Sequence, residues 1–269
     1  MFLGIGSYTF PWAIEAEDSA EGRFCYAKKL LQYAAENNIH YVQFGDNLPL
    51  HEWSSEQLNE FKTISDRLNI QIQVGTRKLL AEHIRIYISI ASRFGSPFLR
   101  VVIDDKDFHP SLQEVIHQIK MLLPDLQNSN VILGIENHDR FSAKTLEEII
   151  LATDPMLVGI CLDTANSLGA GEGIESVMKI LSPYTINLHV KDFIIKRVEN
   201  KMGFIVEGVP AGEGMLDIPS LLSVLQKHKR CETITLELWS NREKDLETSI
   251  MEEKKKVERS IQYLKKVIS

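Results

Sequence analysis

The sequence has no basic excess, few cysteines and no long apolar run. Its 30 Lys and Arg residues stand against 37 Asp and Glu, giving a formal charge of −7. Proteins that grip a DNA or RNA backbone usually present a basic stripe, so no nucleic-acid partner is expected. Three cysteines, Cys25, Cys161 and Cys231, lie far apart with no CxxC pair. That set excludes a disulfide scaffold and a structural zinc site, and it fits a reducing, cytoplasmic location. No apolar stretch approaches the roughly 20 residues of a membrane span, so no membrane partner is expected. The start, MFLGIGSYTFPW, lacks a basic leader and is followed by Glu15, Glu17 and Asp18, which does not read as a signal peptide.

What the chain does have is regular alternation. Apolar residues make up 44% and charged residues 25% of 269 positions, the balance of a soluble globular protein. Strand-like runs fall at 2–6, 40–44, 70–74, 98–103, 131–136, 157–163, 186–191 and 233–238. Amphipathic segments separate them, near 24–36, 55–68, 79–94, 111–123, 143–152, 173–181, 218–228 and 242–267. Helix starts are marked by Ser55 before Glu56 and Gln57, Ser111 before Glu114, and Asp217 before Ile218-Pro219. Eight strand–helix repeats predict a single-domain (β/α)8 barrel over residues 1–269. A doubly wound open sheet is the alternative. It usually carries GxGxxG after its first strand, and GIGSYTFPW lacks that spacing.

The last four strands share an ending. VILGIENHD, LVGICLDTAN, INLHVKDF and TITLELWS place Glu136, Asp163, His189 and Glu237 near their C-terminal ends. Strand side chains alternate faces. On the faces of these four, the preceding residues are small or polar: Gly134, Cys161, Asn187 and Thr235. The opposite faces carry Leu133 and Ile135, Ile160 and Leu162, Ile186 and Leu188, and Ile234 and Leu236. This parity sends the aliphatics outward under helices and the four titratable groups inward at the C-terminal mouth, where sites of this fold lie. Three carboxylates that close repel unless a cation or protons sit among them, and a divalent metal relieves the conflict. Oxygen-rich ligation with one imidazole suits one divalent ion, Mn²⁺, Mg²⁺, Co²⁺ or Zn²⁺.

The motifs IENH (135–138), CLDTAN (161–166), LHVKD (188–192), AGEGMLD (211–217) and LELW (236–239) carry a resemblance to the sugar phosphate isomerase/epimerase family of the xylose isomerase-like TIM-barrel superfamily. It is sharpest from about Val131 to Trp239. The resemblance implies that Glu136, Asp163, His189 and Glu237 bind the metal. It also implies that Glu136 and Glu237 act as the catalytic acid/base pair through an enediolate of a ketose or sugar phosphate. Asn166 stands where many relatives have histidine; it can bind a substrate hydroxyl but cannot shuttle a proton. Gln43 stands where relatives often have glutamate.

Further substrate-binding candidates are His138, Lys191, Tyr8 and Trp239, with Arg197 in the long connection after the seventh strand. Lys191 either meets substrate oxygen or pairs Asp192 at the rim. The AGEGMLD amides are candidates for a phosphate. A dehydratase acting on a polyol, inosose or dehydroshikimate-type acid would use the same metal site. An AP-site endonuclease would need additional histidines that VGT (74–76) and VIDD (102–105) do not supply. A catalytically silent binding barrel is the non-enzymatic alternative. The final helix places Ile250, Val257, Ile261 and Leu264 on one stripe, for packing on the barrel or for a homo-oligomer contact.

Overall fold

The structure is a computed structural model that describes residues 1–199 and 202–268. Eight parallel strands close into a barrel: β1 (Phe2–Gly6), β2 (Tyr41–Phe44), β3 (Gln71–Arg77), β4 (Phe98–Val102), β5 (Ile132–Glu136), β6 (Val158–Asp163), β7 (Thr185–Val190) and β10 (Thr233–Leu236). The order is sequential, and β10 returns to pair with β1, Phe2 opposite Thr233. Nine α-helices are found among the described residues: α1 (Pro11–Glu15), α2 (Ala20–Glu36), α3 (Ser55–Leu68), α4 (Ala81–Phe94), α5 (Leu112–Ser129), α6 (Ala143–Leu151), α7 (Ile174–Leu181), α8 (Ile218–His228) and α9 (Leu246–Ile268).

Local chemistry sets most boundaries. Ser111 and Glu114 form the expected capping box of α5, and Asp217 caps α8. The cap of α3 is Ser54 rather than Ser55: its hydroxyl takes the Gln57 amide while Gln57 reaches back. Helix α5 runs through Pro124 to Ser129, beyond the segment expected near 111–123. Burial of Leu122 and Leu126 on one stripe holds the helix together across the lost hydrogen bond. In α9 the stripe of Val257, Ile261 and Leu264 is buried within the same chain, so barrel packing accounts for it.

Two features depart from expectation. The connection after β7 contains a hairpin, β8 (Phe193–Arg197) and β9 (Phe204–Gly208), antiparallel and outside the barrel. Ile195, Phe204, Ile205 and Val206 on it are exposed. The second departure is a register shift between β6 and β7 at Ile160/Cys161, which leaves Ile186 unpaired. Parity predicted Ile186 facing the helices. The irregularity turns it into the barrel, where it packs with Phe98 and Cys161 and lies over Gly134 and Gly159. A Cβ at either glycine would collide with Ile186 or Cys161, so glycine there makes the space. Above this apolar plug lies a polar layer: Gln43 donates to Asn187 Oδ1 across the barrel at 3.2 Å, Gln73 to Thr233 Oγ1 at 3.1 Å and Asn187 to Thr233 Oγ1 at 2.8 Å. The layer forms the floor on which the strand-end residues stand.

Candidate active site

Each of the four strand-end residues is buried: Glu136 closes β5, Asp163 closes β6, His189 sits on β7 and Glu237 immediately follows β10. The strand-like register persists at Glu237, whose amide donates to Val190 O at 3.1 Å. Ligand atoms of Glu136, Asp163 and His189 all lie within 4.8 Å of one another. Glu237 is outside that mutual set but adjoins it, its Oε1 3.2 Å from His189 Nδ1; Glu136 Oε2 is 3.4 Å from the same nitrogen.

Asp163 is held by its own turn. Its Oδ1 accepts the amides of Ala165 and Asn166, both at 2.8 Å. Asn137, fully buried, clasps its backbone: Asn137 Oδ1 accepts the Asp163 amide at 2.6 Å, and Nδ2 donates to Asp163 O and Ser167 Oγ, each at 2.9 Å. The DTAN turn and the asparagine of IENH therefore aim Asp163 Oδ2 alone into the barrel mouth.

Lys191 enters the cluster directly. Its Nζ lies 2.9 Å from Asp163 Oδ2 and 2.9 Å from Glu237 Oε2, and 3.5 Å from Asn166 Oδ1. Burial disfavours its charge, but Asp163, Glu237 and then Glu136 outweigh that and raise its pKa. Glu237 shows the converse. Burial pushes its carboxyl up, and Lys191, His189 and Arg100 together bring it down to about 2.

A second buried cation was not foreseen. Arg100, projecting inward from β4, donates through Nε to Glu136 Oε2, and its Nη1 lies 3.0 Å from Asp46 Oδ1. Gly75 leaves room for it, since a Cβ there would sit 3.1 Å from Arg100 Cδ. Asp46 also accepts Tyr8 OH at 2.9 Å, and Arg77 Nη1 approaches it at 3.6 Å. Burial raises the Asp46 pKa, but Arg100 and Arg77 lower it by more. Asn166 Nδ2 donates to Glu136 Oε1 at 2.9 Å. Both Glu136 oxygens are thus occupied. The signal for Arg100 was available: an arginine at an inward position of a buried strand, FLRVVI, is as anomalous as His189 in INLHVK.

The other predicted residues fall in different places. Tyr8 joins the site through Asp46, with its ring centroid 5.8 Å from the Arg100 guanidinium. Trp239, half-buried, stacks on Phe193 at 6.5 Å at the base of the hairpin. His138 turns to Asp139, with Nδ1 2.7 Å from Oδ1, rather than to the cluster. Arg197 is exposed on β8 and lies over the Phe204 ring at 4.8 Å. Lys191 does not pair Asp192. The Asp192 carboxylate accepts the amides of Phe193, Gly212, Gly214 and Leu216 instead. It thereby consumes amides of AGEGMLD that were considered for a phosphate.

The donor set fits a divalent ion. Asp163 Oδ2, both His189 nitrogens and Glu237 Oε2 are buried without an aligned hydrogen bond. Lys191 Nζ is ion-paired with the two carboxylate oxygens, 2.9 Å from each. Buried polar atoms left in this condition call for a further partner. Oxygen and imidazole donors converging on one point suit a divalent cation.

Residues 31–267 match the family model described as xylose isomerase-like TIM barrel. The chain belongs to that family. It is 27% identical over 239 residues to 3-oxo-isoapionate decarboxylase of Pectobacterium atrosepticum, covering 89% of this chain and 86% of that protein. Among solved structures it resembles D-psicose 3-epimerase from Clostridium cellulolyticum, crystallised with D-tagatose. There the TM-score is 0.75 at 14% identity, with 99% and 98% of the two chains covered. It also resembles a xylose isomerase-like TIM barrel protein from Mycobacterium smegmatis in complex with magnesium. That match has a TM-score of 0.68 at 13% identity, covering 91% and 90%. The two solved structures share their barrel fold with this chain.

Proposed function

We propose that this protein is a metal-dependent enzyme acting on a small oxo-sugar or oxo-sugar acid, and that its reaction is decarboxylation of a 3-oxo acid. One observation carries the choice of reaction. Both oxygens of Glu136 already accept hydrogen bonds, from Arg100 and Asn166, so with the carboxylates holding the cation the cluster offers one proton donor, the Lys191 ammonium. Proton exchange between two carbon positions calls for two acid/base groups. Loss of CO2 from a 3-oxo acid calls for one proton delivered and none removed from carbon. The decarboxylase relative matched along most of its length supports the same reading.

Glu136, Asp163 and His189 would hold the cation, with Glu237 as fourth donor. When bound, it supplies the Lewis acid that polarises the substrate carbonyl. The protein's own groups do the rest. The C–C bond to the carboxylate breaks, and its electron pair passes into the carbonyl as an enolate. The carbon then takes a proton from Lys191 Nζ, and solvent restores it. Arg100, fixed by Asp46 and Glu136, holds positive charge beside the site, and Tyr8 closes over it. Preorganised charge of this kind needs no rearrangement during reaction.

Isomerisation or epimerisation of a ketose or sugar phosphate is the second reading. It is favoured by the approach of Glu136 and Glu237 to the same His189 nitrogen, at 3.4 and 3.2 Å. Nuclear magnetic resonance in D2O separates the two. The metal-loaded protein is given a panel of 3-oxo sugar acids and a panel of ketoses. Decarboxylation predicts CO2 release with one deuterium in the product. Deuterium exchange or epimer formation in ketoses, with no CO2 from any 3-oxo acid, would replace the first reading by the second.

A further inference from the structure

Resting on the metal-dependent reading above, we infer that Lys191 is a resident cation of the metal site. A divalent ion displaces it from Asp163 and Glu237, and it then turns toward Asn166 and the substrate. The argument begins at Asp163. Its Oδ1 is committed to the amides of Ala165 and Asn166. Only Oδ2 remains for a metal, and Lys191 Nζ stands 2.9 Å from that atom. The same ammonium stands 2.9 Å from Glu237 Oε2, the oxygen of Glu237 turned away from His189.

This placement explains why Glu237 lies outside the set formed by Glu136, Asp163 and His189. The ammonium is wedged between Asp163 and Glu237 and neutralises both. Two cations cannot share Asp163 Oδ2 in a buried site without strong repulsion. The lysine has a route out. Its backbone is pinned, its amide donating to Thr164 Oγ1 at 2.9 Å and Thr164 Oγ1 donating to Lys191 O at 3.0 Å. Its four-carbon stem is intrinsically flexible, and Asn166 Oδ1 is already 3.5 Å from Nζ.

Metal binding is therefore an exchange of cations rather than the filling of a vacant cluster. Two consequences follow. The lysine stabilises the metal-free protein by compensating carboxylates that would otherwise repel. It also weakens metal affinity, and it becomes available to substrate oxygen only in the loaded protein, which sets the order metal before substrate.

The test is calorimetric titration of Mn²⁺ into metal-free wild type and Lys191→Met, with thermal unfolding of both metal-free proteins. The expected result is opposite movement: Lys191→Met binds Mn²⁺ about tenfold tighter or better, yet unfolds at a lower temperature without metal. A merely structural lysine would lower both. Equal or weaker Mn²⁺ binding by a folded Lys191→Met overturns the displacement. Absence of Mn²⁺ binding by either protein instead removes the metal-dependent reading, and the displacement with it. Should Lys191→Met not fold, a crystal structure of Mn²⁺-loaded wild type decides. Nζ is expected beyond about 4 Å, the ion-pair limit, from Asp163 Oδ2; Nζ still paired with that oxygen overturns the inference.

Discussion

Arg100 on β4 and Glu136 on β5 form an ion pair inside the barrel, their side chains only 5% and 1% exposed. Neither charge has water to fall back on. Removing one partner strands the other, and also leaves Asp46 with a weaker partner in Arg77. Arg100→Met is expected to destabilise the fold by roughly 3–5 kcal/mol in urea denaturation. A loss below roughly 1 kcal/mol, within the range of exposed pairs, would show that the pair is not structurally important.

Asp192 ties the connection after the hairpin to the end of β7. Its carboxylate accepts four amides, those of Phe193, Gly212, Gly214 and Leu216. In Asp192→Ala those donors lose their acceptor, at a cost of about 1–3 kcal/mol for each that stays buried. Amide hydrogen exchange at Gly212, Gly214 and Leu216 is expected to accelerate strongly, while exchange in β2 and β3 stays slow. Uniform acceleration along the chain would point to global destabilisation instead.

Asn137 clasps the backbone of Asp163 through two hydrogen bonds and ties it to Ser167 through a third. Asn137→Ala should therefore weaken metal binding although Asn137 donates nothing to the ion, by roughly 10–100-fold as for supporting partners of metal ligands. Titration of Mn²⁺ into the variant measures it. Unchanged affinity would mean that the DTAN turn holds Asp163 without help.

Glu253 on α9 accepts the amides of Trp12 and Ala13 at 2.9 and 3.1 Å. Burial raises its pKa to about 7, against the lowering effect of those two amides. Its folded value lies above its ordinary value of 4.5, so the folded state binds the extra proton between the two. Stability contributed by the protonated form is complete below about pH 4.5 and is lost as pH rises through about 7. Glu253→Gln should abolish this slope and show the same stability at pH 5 and pH 8, although its NH2 group cannot accept the second of the two amides. Urea denaturation at pH 5 and pH 8 reads both values, and parallel behaviour of the two proteins would contradict the assignment.

Much of the site was legible because its residues break the rule of the strands that carry them. Histidine and carboxylates at inward strand ends have no place in an apolar core, and parity alone directed Glu136, Asp163, His189 and Glu237 to one mouth. Arg100 breaks the same rule, but arginine does not ligate metals, so the pattern of strand-end ligands does not single it out. Ile186 was placed on the wrong face because a register shift leaves no mark in the apolar pattern. The hairpin was read as a loop since eight strands already completed the barrel, although Phe193–Ile195 and Phe204–Val206 are two short apolar runs. The partner of Lys191 could not be read from LHVKD, because the neighbouring Asp192 is taken by amides about twenty residues away in sequence.

Metal analysis after equilibrium dialysis against Mn²⁺ tests the central claim most directly. Wild type should retain about one equivalent per chain and Asp163→Ala almost none, because Asp163 offers a buried oxygen that no hydrogen bond occupies. No retained metal in wild type, or equal retention by a folded Asp163→Ala, would contradict the account.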